Sequence, residues 1–169
     1  KAGAIFDENK LNWFNCHYIS NKSEKEIIKL ADKYLPDIDH KLLIKILRLE
    51  KKRLETLDQI GDICSIFLGI VDYDPEILIF KKSNKEDTFK ALNLVNDELV
   101  KYKKWKQDKL LKVLTSLVKD NNLKNGDLFW PLRVSLSGQE KSPPPEEIME
   151  IIGKEESLNR INKALAKLK

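Results

Sequence analysis

Apolar residues recur at intervals of three and four positions along most of the chain, and this spacing constrains the fold more than any other feature. It is typical of amphipathic α-helices that pack one face against a core. A Ser-x-x-Glu capping box at Ser23 and a possible cap at Asp39 indicate two helix starts. Six Gly and six Pro among 169 residues are few. We therefore predict an all-α protein. The clearest example of the spacing consists of Leu42, Leu43, Ile46, Leu47 and Leu49.

The helical pattern breaks between residues 69 and 75, where Asp72, Asp74 and Pro75 indicate a loop. We place a boundary between two small helical subdomains there. Pro131 interrupts a later helical pattern unless it falls in the first turn, and Asn125 with Gly126 is interpreted as a turn. The aromatic-rich residues 3–19 show no regular period. After the boundary we predict helices over residues 87–103, 108–119 and 127–137. A further helix is predicted to end at Gly153, and a last one covers residues 155–168.

Charge is unevenly distributed along the chain. Residues 1–100 carry 16 Lys and Arg against 18 Asp and Glu, a net charge of −2, whereas residues 101–169 carry 15 against 9, a net charge of +6. A basic C-terminal part favours contact with a polyanion, although lysine-rich helices often present only a solvated face. No apolar run reaches the roughly 18 residues that a membrane span needs. We expect no membrane and no DNA partner.

The chain shows none of the clustered motifs that an independent enzyme needs. It has no glycine-rich phosphate loop and no Gly-x-Ser-x-Gly element. His17 and His40 are its two histidines, and its acidic residues form no obvious acid–base pair. Cys16 and Cys64 lie far apart, which indicates reduced thiols in a cytoplasmic protein and no metal site. We therefore expect no catalytic, metal or cofactor site in this part.

Two stretches of sequence carry a resemblance to one known family. Residues 3–19 contain Gly-Ala-x-Phe-Asp, then Lys-Leu-x-Trp-x-Asn and Tyr-Ile. Residues 126–138 contain Pro-Leu-Arg in a helix that ends at Gly138, and a Pro-containing turn and an Ile-Gly-Lys-Glu element follow. Bacterial glutamyl-tRNA synthetases show both stretches in this order, and the resemblance covers essentially the whole chain. The chain thus resembles the C-terminal, anticodon-binding region of that family.

The resemblance implies a division of labour within a longer enzyme. The whole enzyme would attach L-glutamate to tRNA-Glu with ATP and magnesium, on a class I nucleotide-binding fold that precedes the matching region. Its His-x-Gly-His-like and Lys-Met-Ser-Lys-Ser-like signatures are absent here, so this part should be inactive alone. Residues 1–19 would be the tail of the domain that contacts the tRNA stem. Residues 20–68 and 69–169 would be two anticodon-binding subdomains that form a helical cage.

The resemblance assigns Arg53 to the neighbourhood of the third anticodon base. That base is cytosine in tRNA-Glu and guanine in tRNA-Gln. Cytosine offers two acceptors, O2 and N3, whereas the Watson–Crick edge of guanine offers only O6, so an arginine can favour cytosine. The alternative is a solvated arginine on a helix surface.

The resemblance also implies contacts between the anticodon loop and residues 133–145. Arg133 matches an arginine on the helix that faces the loop, with a buried structural salt bridge as the alternative. Ser142 and Pro145 lie in the turn that touches an anticodon base, and Gln139 and Lys141 are neighbours of phosphate or base. Three consecutive prolines depart from the family pattern, so we expect the contacts of this turn to differ most.

A basic run with interleaved aromatic rings, residues 101–106, is the best RNA signal that does not depend on the resemblance. Tyr102 and Trp105 could stack on unpaired bases and Lys104 could contact phosphate. Packing of the two rings in a helical core is the alternative. Trp13 is expected to pack against the part of the enzyme that precedes this chain.

The leading hypothesis is therefore a monomeric module that binds the anticodon arm of tRNA-Glu, and possible binding of tRNA-Gln stays open. The rival hypothesis is a free-standing helical domain that binds another protein through its apolar faces. The two hypotheses differ in salt dependence, because binding that neutralises phosphates weakens steeply as salt rises.

Overall fold

The computed structural model describes residues 7–69 and 72–169, and its regular structure there is entirely helical. This confirms the predicted all-α class. Residues 1–6 and 70–71 lie outside the described residues, and with them lie the Gly-Ala-Ile-Phe start of the first resemblance motif and part of the predicted loop. No helix in the described ranges has the length and apolar character that a membrane crossing requires. The α-helices of these ranges are α1 Glu8–Ser20, α2 Glu24–Leu30, α3 His40–Glu50, α4 Ile60–Leu68, α5 Lys85–Lys101, α6 Gln107–Asp120, α7 Asn125–Ser137 and α8 Pro145–Lys167.

The chain divides into two compact units, the first ending at Leu68 and the second beginning at Gly69. Short 3-10 helices at Asp32–Tyr34, Leu57–Gln59 and Pro75–Leu78 connect the α-helices. The first unit includes α1, so the separate role predicted for residues 1–19 stays a prediction.

In the N-terminal unit, local capping determines where three helices begin. The Asp7 side chain accepts a hydrogen bond from the Lys10 N–H at 3.2 Å, and Asp39 accepts one from Leu42 at 3.0 Å. Ser23 forms the predicted capping box with Glu26. These caps satisfy backbone donors that the first helical turn leaves unpaired. Residues 3–19 show no regular apolar period, yet most of them belong to α1, a 13-residue helix that Asp7 caps.

The core of the N-terminal unit is formed by α2, α3 and α4. Of the predicted periodic positions, Leu43, Ile46 and Leu47 are almost fully buried, whereas Leu42 and Leu49 are half-buried. Burial raises the pKa of the Cys64 thiol to about 11, so that thiol stays protonated at neutral pH. The innermost residues are Ile27, Leu43, Ile46, Leu47, Leu54, Ile60 and Cys64.

In the C-terminal unit, α7 is the central helix and packs against α5, α6 and α8. Buried Arg160 joins α8 to α7, because its guanidinium donates to the Leu136 carbonyl at 2.6 Å and to Glu156 at 2.7 Å. The Trp130 indole N–H donates to the Ile77 carbonyl at 2.9 Å and ties α7 to the preceding 3-10 helix. These long-range bonds hold both ends of the unit to its central helix.

Two features of α7 contradict the sequence expectation. The helix begins at Asn125, so Asn125 and Gly126 form its first turn instead of a separate turn. A Cβ at Gly126 would lie 2.1 Å from the Phe80 ring, and this close packing requires glycine there. Pro131 is buried within α7, beyond its first turn. The helix therefore lacks one backbone hydrogen bond at Pro131, and packing on its neighbours compensates for the loss.

The two predicted glycine stops are confirmed. Gly138 adopts a left-handed conformation, φ 70°, and its N–H donates to the Val134 carbonyl at 2.7 Å. Gly153 has φ 82° and ψ 174°, which interrupts α8. Both conformations are unfavourable for residues with a Cβ atom.

Candidate nucleic-acid interface

The connection between α7 and α8 presents the turn that the sequence analysis singled out. Ser137 organises its start, because its hydroxyl donates to the Arg133 carbonyl at 2.8 Å, lies 3.1 Å from the Gln139 carbonyl and accepts from the Gln139 N–H. Pro144 then caps α8 and Pro145 occupies its first helical position. Proline suits that position because it has no N–H to leave unpaired. The three prolines thus stiffen the entry into α8.

Within this turn the predicted residues differ in what they offer a ligand. Gln139 and Lys141 are exposed, and Ser142 is half-buried with its hydroxyl 3.2 Å from the Pro143 carbonyl. Pro145 is buried. Its ring therefore directs α8 and offers little surface to RNA. Gln139, Lys141 and Ser142 are accessible polar groups of the turn, and the exposed carboxylate of Glu140 lies between the first two.

Arg133 lies half-buried on α7 near the start of α8. Its Nε atom is buried and makes no hydrogen bond within the described residues. Glu146, 7% exposed, is close enough for the two charges to interact, and its Oε2 atom also lacks a hydrogen-bond partner within those residues. Burial raises the pKa of Glu146, the charge of Glu147 adds to this effect, and Arg133 partly offsets it. Arg133 therefore forms no salt bridge with hydrogen-bonding geometry in the described chain.

Arg53 occupies a different environment, in the turn that follows α3. Its guanidinium lies 2.7 Å from a carboxylate oxygen of Glu50, and its backbone N–H donates to the Glu50 carbonyl at 2.8 Å. The Glu50 side chain is 4% exposed, whereas that of Arg53 is 48% exposed. The buried carboxylate orients the guanidinium, while about half of the Arg53 side chain stays exposed. Arg53 therefore lies in a turn and is ion-paired with Glu50, and it does not lie on a helix surface.

The basic run at residues 101–106 forms the irregular connection between α5 and α6, although we had expected Tyr102 and Trp105 to lie on a helix. The Trp105 indole N–H donates to the Met149 carbonyl at 2.7 Å, and the Tyr102 hydroxyl lies 3.4 Å from the Lys109 carbonyl. Both rings are half-buried. They anchor the connection to its neighbours, so Lys104, which is exposed, is the most accessible of the three predicted contacts.

Two charged residues that the sequence analysis did not single out hold this connection in place. Lys154 donates to the carbonyls of Val100 at 2.7 Å and Tyr102 at 2.9 Å. Glu150 accepts from the Gln107 N–H at 2.6 Å and pairs with Lys106 at 3.1 Å. These contacts lower the pKa of Glu150, the backbone bond contributing most. All partners are more than 40 residues apart, so no local pattern could have revealed them.

The described residues contain no group of three or more His, Cys, Asp and Glu side chains that could hold a metal ion. His17 lies on α1, where its ring is 3.2 Å from the Asn21 amide, and His40 is the first residue of α3. Neither is placed as part of a catalytic group.

Comparisons with known proteins agree with this geometry. The sequence model of the anticodon binding domain family matches residues 26–165. The chain is 36% identical to a glutamate–tRNA ligase of Clostridium kluyveri over 174 residues, and 36% identical to that of Clostridium botulinum over 177 residues. Each alignment covers 100% of this chain and 36% of the relative. The chain belongs to the anticodon-binding domain family.

Solved structures show the same fold. A glutamate–tRNA ligase from Elizabethkingia meningosepticum, in complex with its amino acid, matches with a TM-score of 0.79 and 28% identity, covering 100% of this chain and 34% of that one. The glutamate–tRNA synthetase from Elizabethkingia anophelis matches with a TM-score of 0.73 and 27% identity, covering 98% of this chain and 33% of that one. This chain thus spans about a third of the length of the ligases that it resembles.

Proposed function

We propose that this chain is the anticodon-binding part of a glutamate–tRNA ligase. In this role it binds the anticodon arm of tRNA-Glu and positions the acceptor end for a distant active site. The family match over residues 26–165 is the observation that carries the proposal. The full-length alignments with glutamate–tRNA ligases support the choice of tRNA.

The turn between α7 and α8 supplies the contacts in this proposal. Gln139 and Lys141 face solvent and offer an amide and an ammonium group to base edges and phosphates. Arg133 lies on α7 five residues before Gly138, and its charge interacts with that of Glu146 at the start of α8. Single-stranded RNA loops expose the base edges that such groups recognise.

Arg53 supplies base discrimination in this proposal. Glu50 orients its half-exposed guanidinium, and this restraint reduces the conformational entropy lost when the side chain binds a base. Two acceptors on cytosine match paired donors better than the single acceptor on the Watson–Crick edge of guanine. We therefore expect tRNA-Glu to bind more tightly than tRNA-Gln.

The ligase reaction itself belongs to another part of the proposed enzyme. ATP and magnesium would act with the nucleotide-binding domain, because the described residues bring together no metal-binding group and the chain has no phosphate-loop motif. We propose a monomeric, cytoplasmic enzyme in which this chain is the C-terminal region.

A binding titration tests the proposal. The purified chain is titrated with tRNA-Glu and with a variant whose third anticodon base is changed from cytosine to guanine, between about 50 and 200 mM salt. We expect tighter binding of tRNA-Glu and a steep, linear dependence of log K on log salt. Absence of binding to either RNA at 50 mM salt would overturn the proposal. Equal binding of both would remove the discriminating role of Arg53.

The exposed aromatic face of α1 favours a protein contact as a second function. Trp13 is 64% exposed and Tyr18 is 66% exposed, and the Trp13 ring stacks on His17 with centroids 6.0 Å apart. Leu11 and Phe14 of the same helix are each 43% exposed, and several large apolar groups exposed close together are typical of a protein contact surface. We propose that this face packs against the preceding part of the ligase. A free-standing protein-binding domain would instead bind its partner with little dependence on salt.

A further inference from the structure

A groove of about 740 Å³ lies in the C-terminal unit, between the turn at residues 80–83, the start of α5 and the connection from α6 to α7. None of the residues that line it belongs to the predicted anticodon contacts. Its lining includes the lysines Lys81, Lys82, Lys90 and Lys124.

The acidic groups at the groove are already engaged in local contacts. Asp87 accepts a hydrogen bond from the Asn84 side chain at 2.8 Å, and Asp127 accepts one from the Lys124 backbone N–H at 3.2 Å. Lys90 pairs with Glu86 at 2.7 Å. The other three lysines are exposed and form no ion pair within residues 7–69 and 72–169. The hydrogen bonds of Asp87 and Asp127 leave both carboxylates charged, so the lining carries four lysines against two aspartates, a net charge of 4 − 2 = +2.

Two helices begin at the wall of the groove, α5 after Asn84 and α7 after Lys124. The N-terminal end of a helix carries a partial positive charge. Asp87 and Asp127 lie in these first turns and offset that charge. The lysines are therefore the groups at this groove that attract anions.

The turn that carries Lys81 and Lys82 is held firmly in place. The Ser83 N–H donates to the Phe80 carbonyl at 2.7 Å, and Lys81 adopts φ 41°, a conformation that favours glycine. The Phe80 ring packs 5.4 Å from Trp130, centroid to centroid, and against Gly126. The two lysines are therefore presented from a turn that is fixed to α7.

We propose that this groove binds backbone phosphates of the same RNA that contacts residues 139–145. The groove and that turn lie at opposite ends of α7, which has 13 residues and at 1.5 Å per residue is about 20 Å long. Lysine ammonium groups act as point charges toward phosphate and do not read base identity. The groove thus adds affinity without adding base specificity. This inference rests on the proposed function, because it assumes that the chain binds tRNA.

A matched pair of variants tests the groove. One variant carries Lys81→Gln, Lys82→Gln and Lys124→Gln, and the control carries Lys112→Gln, Lys163→Gln and Lys169→Gln, which are exposed lysines of the same unit outside the groove. Both lose three positive charges. We expect the groove variant to bind tRNA-Glu about tenfold more weakly at 100 mM salt. We expect its salt slope to fall by roughly 2, since each phosphate contact contributes about 0.7–0.9.

The outcomes separate this inference from the proposed function. If the wild-type chain binds no tRNA, the proposed function fails. If the wild-type chain binds but both variants weaken equally, the groove inference is overturned and the proposed function stands. A second groove variant with Lys81→Gly removes one charge while suiting the positive φ, so any loss of RNA affinity with unchanged thermal stability supports a charge effect.

Lysine protection provides an independent measurement. The chain is acetylated with and without saturating tRNA, and modification of each lysine is read by mass spectrometry. We expect protection of Lys81, Lys82 and Lys124 by RNA, and little protection of Lys163 or Lys169. Full modification of the three groove lysines in the complex would contradict the inference. Protection by millimolar inorganic phosphate or pyrophosphate but not by tRNA would assign the groove to a small free anion instead.

Discussion

The turn after α3 and the helix α7 each present an arginine, but they hold it differently. Arg53 is half-exposed and its guanidinium is oriented by a buried carboxylate, Glu50. Arg133 is half-buried, its Nε atom makes no hydrogen bond within the described residues, and its acidic neighbour Glu146 has a raised pKa because of burial. The oriented, half-exposed guanidinium of Arg53 suits base discrimination. The half-buried guanidinium of Arg133 supplies charge and also supports the local packing.

The largest expected effect is that of Arg133→Ala. This change removes the cation that interacts favourably with the carboxylate of buried Glu146, so we expect a loss of about 1–2 kcal/mol in unfolding free energy. We also expect about tenfold weaker binding of both RNAs, which corresponds to roughly 1.4 kcal/mol. Chemical denaturation and binding titrations measure the two effects.

The double variant Arg133→Ala, Glu146→Gln separates structure from recognition. It should recover most of the stability and little of the RNA affinity, because the buried charge is gone while the guanidinium is still missing. Recovery of both would mean that Arg133 acts on RNA only through the fold.

The next effect in size is that of Glu146→Gln alone. Because burial raises the Glu146 pKa, the native state holds this proton more tightly than the unfolded state does. The stability that protonated Glu146 contributes is therefore present below the ordinary carboxyl pKa and is lost as pH rises through the raised pKa of the native state. We expect the variant to be about 1 kcal/mol more stable than wild type at pH 7 and equally stable near pH 3.5. Thermal melts across this range measure the difference, and a gap that is constant with pH would contradict it.

Arg53→Gln should reduce the ratio of affinities for the cytosine and guanine RNAs by about three- to fivefold. This is a small effect for the loss of a base contact, because the Arg53 side chain is half-exposed. The glutamine amide can still donate to Glu50, so the melting temperature should change little. Arg48→Gln, an exposed arginine on α3, is the matched control. A similar loss of preference in the control would show that discrimination depends on net charge.

The smallest expected effect is that of Lys141→Gln. The exposed ammonium contributes at most one phosphate contact, so both RNAs should bind about twofold more weakly and the salt slope should fall by about 0.7–0.9. Lys169→Gln controls for the change in net charge. Loss of affinity for only one RNA would instead make Lys141 a base contact and would weaken its contrast with Arg53.

Local chemistry in the sequence predicted part of this molecule well. The capping box at Ser23 and the stops at Gly138 and Gly153 appear where they were predicted, because each depends on a few adjacent residues. The buried periodic positions of α3 are likewise a local property of helix geometry. In contrast, α1 was missed because its side chains remain largely exposed and show no apolar stripe.

The candidate site likewise has features that the sequence predicted and features that it could not show. Sequence pointed to Arg53, Arg133 and the turn at residues 139–145, and their roles in RNA binding stay predictions. It could not show that Glu50 orients Arg53 or that Glu146 lies buried beside Arg133, because burial of a carboxylate depends on what the whole unit packs around it. The same is true of Trp105, whose indole bonds to Met149, 44 residues away.

By itself, the sequence determined the helical class, the helix ends marked by local caps, the basic C-terminal part and the family resemblance. Only the tertiary structure showed that Gly126 lies in the first turn of α7, where the Phe80 ring occupies the space of a Cβ. Only the tertiary structure gathered Lys81, Lys82 and Lys124 at one groove, since they come from two connections about 40 residues apart. Helix propensity and capping act over a few residues, whereas grooves, buried charges and long-range hydrogen bonds arise when distant segments pack together.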